Sequence, residues 1–187
     1  MLEGERFLLA YNFMLANEGN FVDMVEDRGG ATRLGVSLAF LKSMFKNGSL
    51  WVDVNKDNKI DENDLLHLTY DQIRHIYFNQ FWKPISKIKP LTLATKVFDM
   101  AVNCGVGQAI KLLQKALGVV VDGIIGKQTL SAIENGDEKD IITKFVYATS
   151  EFYKNIVAKN SSQKVFLTGW LNRAKRLPYW DKDRRQL

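Results

Sequence analysis

Several features that would place this chain in a specialised class are scarce or missing. A single cysteine, Cys104, and 3 prolines in 187 residues exclude a disulfide-stapled scaffold and a collagen-like chain. No apolar run approaches the roughly 18 residues that a membrane-spanning helix requires. Acidic residues stand near the start, where a cleaved secretory leader would carry basic ones, so we expect synthesis in the cytoplasm without a cleaved signal peptide.

Acidic charge is also scarce in the second half of the chain. Residues 1–82 hold 8 basic and 12 acidic side chains, whereas residues 83–187 hold 18 and 9, a local net charge of +9. This half should face an anionic partner, and nucleic acid, a membrane surface and an anionic cell-wall polymer all satisfy that condition. A basic face that is merely solvated explains the same numbers.

Hydrophobic residues make up 46% of the chain and recur at helical spacing, which predicts a mainly α-helical fold with a substantial core. Boundary signals support this prediction. Thr69 and Gln72 form a capping-box pattern, Gly118 stands where a helix-ending glycine would, and Asp137 is suited to cap a helix that follows it.

Residues 17–36 are the least helical part of the chain, because four glycines interrupt a short alternating pattern. They predict a turn-rich segment or a small hairpin, and loops of this kind are the first place to look for an active site. Two prolines bracket residues 83–91, which predicts a connector. The chain would then consist of an N-terminal lobe at 1–90, a helical lobe at 91–180 and a tail at 181–187.

Two carboxylates lie in the glycine-rich segment, Glu18 at its start and Asp27 nine residues later. Hydrolysis of a glycosidic bond needs such a pair in different environments, one protonated to donate to the leaving oxygen and one ionised. Glu18 stands near Leu15 and Phe21 in sequence and suits the acid, whereas Asp27 suits the ionised partner. A helix-terminal residue and a turn former would look the same in isolation.

The longer pattern is more specific: Glu18-Gly-Asn-Phe, five residues, then Asp27-Arg-Gly-Gly-Ala-Thr32-Arg-Leu-Gly35-Val. It resembles the N-terminal motif of the glycoside hydrolase family 108 muramidases, which include phage-type endolysins and secretion activators. The resemblance implies a lysozyme-like fold in which Glu18 is the catalytic acid, with Asp27 and Thr32 as the other catalytic candidates and the small hairpin at the cleft. Asn20 and Phe21 depart from the usual Gly and Tyr.

A second candidate site is the acidic loop that begins at Asp53. Its oxygen-bearing residues follow the spacing of an EF-hand calcium loop, with the side chains of Asp53, Asn55, Asp57, Asp61 and Asp64 and the main-chain carbonyl of Lys59. Two residues depart from the pattern, because Asn58 replaces the usual glycine and Asp64 replaces a longer glutamate. Structural calcium is expected here, and no cofactor is expected for catalysis. The alternative is an acidic loop with Asx turns and no metal.

The C-terminal lobe carries Leu113-Gln114 and Leu117-Gly118, then Asp122-Gly123, Gly126 and Thr129. This pattern resembles peptidoglycan-binding helical modules, and each of its residues suits a structural role in a turn or helix start. Further segments around Phe98-Asp99 and Asn172-Arg173 also resemble family 108 proteins. The resemblance therefore covers about residues 7 to 176.

Sugars are held by aromatic faces and by amide hydrogen bonds, which makes Tyr77, Trp82 and Asn103 candidate glycan contacts. The sequence analysis thus favours a muramidase that cleaves between N-acetylmuramic acid and N-acetylglucosamine in bacterial peptidoglycan. We expect a monomer that acts in the periplasm or cell wall, with no nucleic acid partner and no stable membrane insertion. The alternative function is a non-catalytic, calcium-stabilised wall-binding protein on the same scaffold.

Overall fold

The computed structural model of the chain describes residues 1–17, 32–33, 35–178 and 180. These residues form nine α-helices and one pair of short strands, so the prediction of a mainly α-helical fold is confirmed. The helices are α1 (Glu3–Asn17), α2 (Leu38–Lys46), α3 (Glu62–His67), α4 (Tyr70–Tyr77), α5 (Leu91–Cys104), α6 (Val106–Leu117), α7 (Lys127–Asn135), α8 (Glu138–Lys159) and α9 (Lys164–Lys175). A π-helix spans Phe78–Trp82, and three short 3-10 helices occur at Leu50–Val52, Lys83–Ile85 and Ser161–Gln163.

The predicted helix boundaries are confirmed by their hydrogen bonds. Before α4, the amide of Thr69 donates to Gln72 Oε1 at 2.8 Å, and the amide of Gln72 donates to Thr69 Oγ1 at 3.2 Å. Asp137 accepts from the Asp140 amide at 2.8 Å where α8 begins. Gly118 ends α6 in the left-handed conformation, with φ of 68°.

The described chain separates into two compact units, the first comprising residues 1–17 and 78–187. In this unit α1 packs on α5, α5 on α6, α6 on α8 and α8 on α9. An aromatic cluster forms the centre of its core: the ring of Phe7 lies 5.2 Å from Phe78, 6.1 Å from Trp82 and 6.0 Å from Phe98, measured between ring centroids. The lobe boundary predicted near residue 90 stays a prediction.

Three charged side chains lie among the apolar ones of the first unit. Asp99 is buried and accepts two hydrogen bonds from Arg173, at 3.0 Å from Nη2 and 3.1 Å from Nε. Lys96, one turn earlier on α5, donates to the main-chain carbonyls of Arg173 at 3.1 Å and Arg176 at 2.8 Å. Burial lowers the pKa of Lys96 to about 8, although the charge of Asp99 opposes the shift. We call these residues, Lys96, Asp99 and Arg173, the charged cluster.

The second unit covers residues 18–77, and its described part holds α2, α3, α4, the acidic loop and the strands. Strands β1 (Thr32–Arg33) and β2 (Val36–Ser37) pair antiparallel, with Thr32 opposite Ser37. Residues 18–31 lie outside the described residues, so the predicted hairpin in the glycine-rich segment stays a prediction there. The core of this unit is built from fully buried aliphatic side chains, namely Leu41, Val52, Leu65, Leu68, Ile73 and Ile76.

Gly35 makes the turn between the two strands, with φ of +80°. A Cβ atom at this position would overlap the hydroxyl of Tyr77, which is itself buried. The turn therefore needs glycine for two reasons, the left-handed backbone and the close approach of Tyr77.

None of the helices in the described ranges is both long and apolar enough to cross a membrane.

We predict that Gly35→Ala destabilises the protein more than Gly48→Ala. Both glycines have positive φ, so each substitution incurs roughly 1 to 2 kcal/mol of backbone strain, but a Cβ at Gly48 meets nothing within 4 Å. The additional loss at Gly35 comes from the overlap with Tyr77. Thermal unfolding of both variants measures it, and Tyr77→Phe in the Gly35→Ala background should recover part of the loss. Equal losses at the two glycines would contradict the steric explanation.

The lowered pKa of Lys96 predicts a stability that rises at alkaline pH. Between the folded pKa of about 8 and the ordinary value of 10.5, the unfolded chain binds a proton that the folded chain has released. The free energy of unfolding should therefore increase with pH in this window, by at most about 1.4 kcal/mol per pH unit. Urea unfolding from pH 7.5 to 10.5 would show a smaller increase in Lys96→Met than in the wild type. Lys139→Met, at an exposed lysine on α8, is the control and should keep the wild-type slope.

Candidate active site

The predicted catalytic residues lie in or next to the segment that the structure does not describe. Glu18 and Asp27 lie outside the described residues, and of Thr32 only the backbone is described, at the start of β1. Glu18 follows Asn17 directly in sequence, and Asn17 is the last residue of α1. The described structure therefore defines how the chain is held up to the residue before the predicted acid.

The carboxyl end of α1 is fastened by side chains from α5 and from the segment after α9. Asn17 Nδ2 donates to Asp99 Oδ1 at 3.1 Å, and Arg176 Nη1 donates to the main-chain oxygen of Ala16 at 3.0 Å. Asp99 is in turn held by Arg173. Asp99 of the charged cluster and Arg176 are thus connected to the last two residues of α1 by directional hydrogen bonds, which restrict orientation more narrowly than apolar contacts do.

One polar atom at this helix end has no partner in the described part of the chain. Asn17 Oδ1 is buried and makes no hydrogen bond there, while the amide nitrogen of the same side chain is engaged. Unpaired buried acceptors are uncommon and concentrate at functional sites or where an ordered water binds.

Asn103 lies on α5 one turn after Asp99, and it is exposed. Its Oδ1 accepts a hydrogen bond of 2.8 Å from the hydroxyl of Tyr153, whose ring is buried. Trp170 stacks on Tyr153 with ring centroids 5.1 Å apart, and Phe166 stacks on Trp170 at 5.7 Å. This row of three rings runs from Asn103 to Phe166, and 51% of Phe166 is exposed.

The other two predicted glycan contacts belong to the core. Trp82 is fully buried among Phe7 and Phe98, and Tyr77 is 2% exposed behind the turn at Gly35. Neither ring offers a free face to a sugar, so we assign both to packing and not to glycan binding. Apolar periodicity places a tryptophan on the correct helix face, but it does not distinguish a buried ring from a ring at a cleft surface.

Cys104 follows Asn103 but has no chemical role that the structure supports. Its Sγ donates to the main-chain oxygen of Met100 at 3.2 Å, and burial raises the pKa of the thiol to about 12. A thiol with this pKa stays protonated at neutral pH and is a poor nucleophile.

The hydrogen bonds of Gln114 confirm that the C-terminal motif, from Leu113 to Thr129, has a structural role. Gln114 is buried, and its Nε2 donates to Asp122 Oδ1 at 2.7 Å and to Thr129 Oγ1 at 3.2 Å. Its Oε1 accepts from the amide of Gly123 at 2.8 Å. The hydrogen bond from Gln114 also lowers the pKa of Asp122. The motif residues therefore fasten a turn between α6 and α7, and a ligand must be held by other side chains.

The acidic loop is organised by hydrogen bonds from main-chain amides to its own carboxylates. Asp53 accepts from the amides of Asp57 at 3.1 Å and Asn58 at 2.8 Å, and buried Asp64 accepts from the amides of Val54 at 2.8 Å and Asp61 at 3.1 Å. Asn58 adopts φ of 62°, as expected where it replaces glycine. These hydrogen bonds order the loop without a bound ion.

These carboxylates are not gathered around one point. Within the described residues, no group of three or more His, Cys, Asp and Glu side chains is arranged so that it could hold a metal ion. The oxygen donors have the chemistry that calcium prefers, but a cation would have to draw them together. Calcium binding by Asp53, Asn55, Asp57, Lys59, Asp61 and Asp64 stays a prediction.

The charged cluster is the functional feature that sequence reasoning missed. In the sequence, Asp99 and Arg173 stand within segments that resemble family 108 proteins, and no motif includes Lys96. The sequence does carry a signal for this cluster. Lys96 and Asp99 lie three residues apart on a helix whose other residues up to Ala101 are apolar except for Thr92 and Thr95. Charged residues on such a helix predict a buried pair, although the partner on α9 cannot be read from it.

Comparison with known proteins identifies two families along the chain. Glycosyl hydrolase 108 matches residues 11–105, and the family described as Predicted Peptidoglycan domain matches residues 108–175. Among solved structures, that of Brucella abortus SagA matches with a TM-score of 0.75 and 26% sequence identity, covering 100% of this chain and 98% of the other. No curated protein matches the chain.

These matches confirm the resemblance drawn from the Glu18 pattern and from the C-terminal motif. The hydrolase match covers more than half of the 187 residues and includes the second half of α1, the glycine-rich segment and α5. The second match contains the turn fastened by Gln114. The chain belongs to the glycosyl hydrolase 108 family and is a glycoside hydrolase that acts on peptidoglycan.

Proposed function

We propose that this hydrolase is a muramidase, which cleaves the β-1,4 bond between N-acetylmuramic acid and N-acetylglucosamine. The observation that carries the proposal is the family match over residues 11–105, which contains the Glu18 pattern of muramidases in full. The peptidoglycan domain match over residues 108–175 supports the same substrate.

In this proposal Glu18 is the general acid. It follows the last residue of α1, and the carboxyl end of a helix carries partial negative charge that disfavours a second negative charge beside it. A protonated carboxyl group can then donate to the leaving oxygen of the glycosidic bond. Asp27 would be the ionised partner that stabilises the positively charged transition state, and Thr32 would position the attacking water.

The hydrogen bonds at the end of α1 support this assignment, because a general acid has to be held close to its productive position. Asp99 and Arg176 would act as positioning residues through their hydrogen bonds to Asn17 and Ala16, and Arg173 would hold Asp99 in place. Asn103 would hold a sugar hydroxyl or acetamido group, and the exposed ring of Phe166 would pack against the glycan beyond it.

The location of the substrate suggests where the enzyme works. Peptidoglycan lies in the periplasm and cell wall of bacteria, so we propose that the enzyme acts there as a monomer. The net charge of +9 over residues 83–187 would attract it to anionic wall polymers.

We further propose that the acidic loop binds calcium in a structural role. Asp53, Asn55, Asp57, Asp61 and Asp64 would supply side-chain oxygens and Lys59 its carbonyl. The hydrogen bonds that already order this loop would lower the conformational cost of binding. The bound ion would neutralise the acidic side chains of the loop and stabilise the second unit.

The muramidase proposal predicts that Glu18→Gln loses at least about a hundredfold in activity while keeping its fold, because the amide cannot donate the required proton. Turbidity loss of purified peptidoglycan measures turnover, and identification of the new reducing ends shows which bond is cut. Glu138→Gln, at the start of α8, removes the same charge elsewhere and should stay active.

Reducing ends of N-acetylmuramic acid from the wild type, and none from Glu18→Gln, are the expected result. Reducing ends of N-acetylglucosamine would instead show that the enzyme is a glucosaminidase. Wall binding without any cleavage would favour the non-catalytic alternative.

The calcium proposal predicts that calcium raises the midpoint of thermal unfolding. At a free concentration a hundred times the dissociation constant, binding adds about 2.7 kcal/mol. For a chain of this size this corresponds to roughly 5 to 10 °C. Asp57→Asn should reduce the shift, because it removes one of the negative charges that attract the cation. The fold should be kept, since Asp57 is exposed and the amide oxygen can still accept from the Lys59 amide. Asp71→Asn on α4 is the control, and a wild type that calcium does not stabilise would contradict the proposal.

A further inference from the structure

A groove runs between α6 and α8 in the first unit, apart from the residues assigned to catalysis. Its volume is about 570 Å³, within the range of small-ligand sites. It exists because small residues stand where the two helices face each other, namely Ala116 on α6 and Ala148 on α8, and because Gly118 ends α6 without a side chain. Leu117 and Phe152 form apolar walls.

Polar side chains line the rim of this groove at helical spacing. Lys144, Tyr147, Glu151 and Asn155 follow one another along the same face of α8, and Lys115 faces them from α6. Lys144 pairs with Asp140 at 2.7 Å and Glu151 pairs with Lys154 at 2.7 Å, both at the surface. Lys115 has no acidic partner among the residues described.

Tyr147 is the most unusual residue of the rim, because 68% of this large aromatic side chain is exposed. A flat ring beside an apolar groove can pack against the apolar face of a pyranose ring, and its hydroxyl can donate to a sugar oxygen. Lys115 adds a positive charge on the opposite side of the groove, and Lys144 adds a second one that it shares with Asp140. The combination fits a ligand that carries both sugar rings and carboxylates.

We propose that the α6–α8 groove is a peptidoglycan-binding site that shares no residue with the proposed cleavage site, and that it holds a glycan unit with its attached peptide stem. Tyr147 packs against the sugar, and Lys115 and Lys144 pair with stem carboxylates. Every lining residue, from Leu112 to Asn155, lies inside the 108–175 match to the peptidoglycan domain. The proposal rests on peptidoglycan being the substrate, and it identifies the surface of the protein that binds the cell wall.

The groove shares no residue with the proposed catalytic machinery, so binding and cleavage can be tested apart. Phe152 lines the groove, whereas its neighbour Tyr153 is bonded to Asn103. Variants on the groove side of α8 should therefore change wall binding without changing chemistry at the glycosidic bond.

The test measures co-sedimentation with insoluble peptidoglycan in the Glu18→Gln background, so that the wall is not consumed. Tyr147→Ala should weaken binding about tenfold, equivalent to about 1.4 kcal/mol. The matched control is Tyr70→Ala, because Tyr70 is 69% exposed on α4 of the other unit. It should bind like the parent.

The charge contribution is tested with the double variant Lys115→Gln and Lys144→Gln. Binding should fall roughly threefold at low salt, and the difference should shrink at high salt because screening weakens exposed ion pairs. Lys139→Gln with Lys159→Gln removes the same charge from exposed positions of α8 outside the groove and is the control. A soluble muropeptide should compete for the groove better than an N-acetylglucosamine oligomer, which lacks the stem.

Unchanged wall binding by folded Tyr147→Ala and by the double lysine variant would overturn the groove assignment. This failure differs from failure of the proposed activity, which would appear as no cleavage by the wild type while the Tyr147 effect on binding persists. An equal loss of binding in the Tyr70 control would also overturn the assignment, since the effect would then not belong to the groove.

Discussion

The buried carboxylate of Asp99 imposes the constraint on which the rest of the first unit depends. A carboxylate removed from water must be neutralised and hydrogen-bonded, and here Arg173 supplies two hydrogen bonds to it. Removing one partner of such a pair costs about 3 to 5 kcal/mol, because the other charge remains buried. That requirement ties α9 to α5, and Asn17 adds α1 to the same carboxylate. Three helices from distant parts of the sequence thus meet at one side chain.

A charged cluster is a costly way to join helices, since apolar packing of the same volume often stabilises a fold as well or better. The hydrogen bonds of the cluster instead fix the orientation of the helix ends. Lys96 is directed at the carbonyls that end α9, and Arg176 at the carbonyl of Ala16, so each helix end has a fixed partner. In a hydrolase whose proposed acid follows Asn17, a displacement of 1 Å at this helix end would reduce the rate of the chemistry. Orientation of the proposed acid would offset the desolvation cost of the cluster.

The sequence was sufficient for features that depend on neighbouring residues. Helix caps at Thr69, Gly118 and Asp137 involve partners within five residues, and apolar periodicity is a property of one helix. Long-range partners could not be read in this way, since Asp99 and Arg173 are 74 positions apart. The same limit explains Trp82, whose burial depends on Phe7 and Phe98 approaching it from two other helices. At the site, the family pattern identifies Glu18. The residues that hold the end of α1 before it, Asp99 and Arg176, can be identified only from the structure.

The two family matches divide the sequence between residues 105 and 108, yet the contacts cross that division. Asp99 belongs to the hydrolase match, and Arg173 belongs to the peptidoglycan match. A fragment that ended at the boundary would keep a buried carboxylate without its cation, and α1 would lose Arg176. The second segment is therefore part of the scaffold of the first.

Helix α8 carries residues of both proposed glycan contacts. Tyr153 on one side contacts Asn103, while Tyr147 and Phe152 line the groove. Wall contact at the groove and orientation of the glycan at Asn103 would thus be set by a single rigid helix.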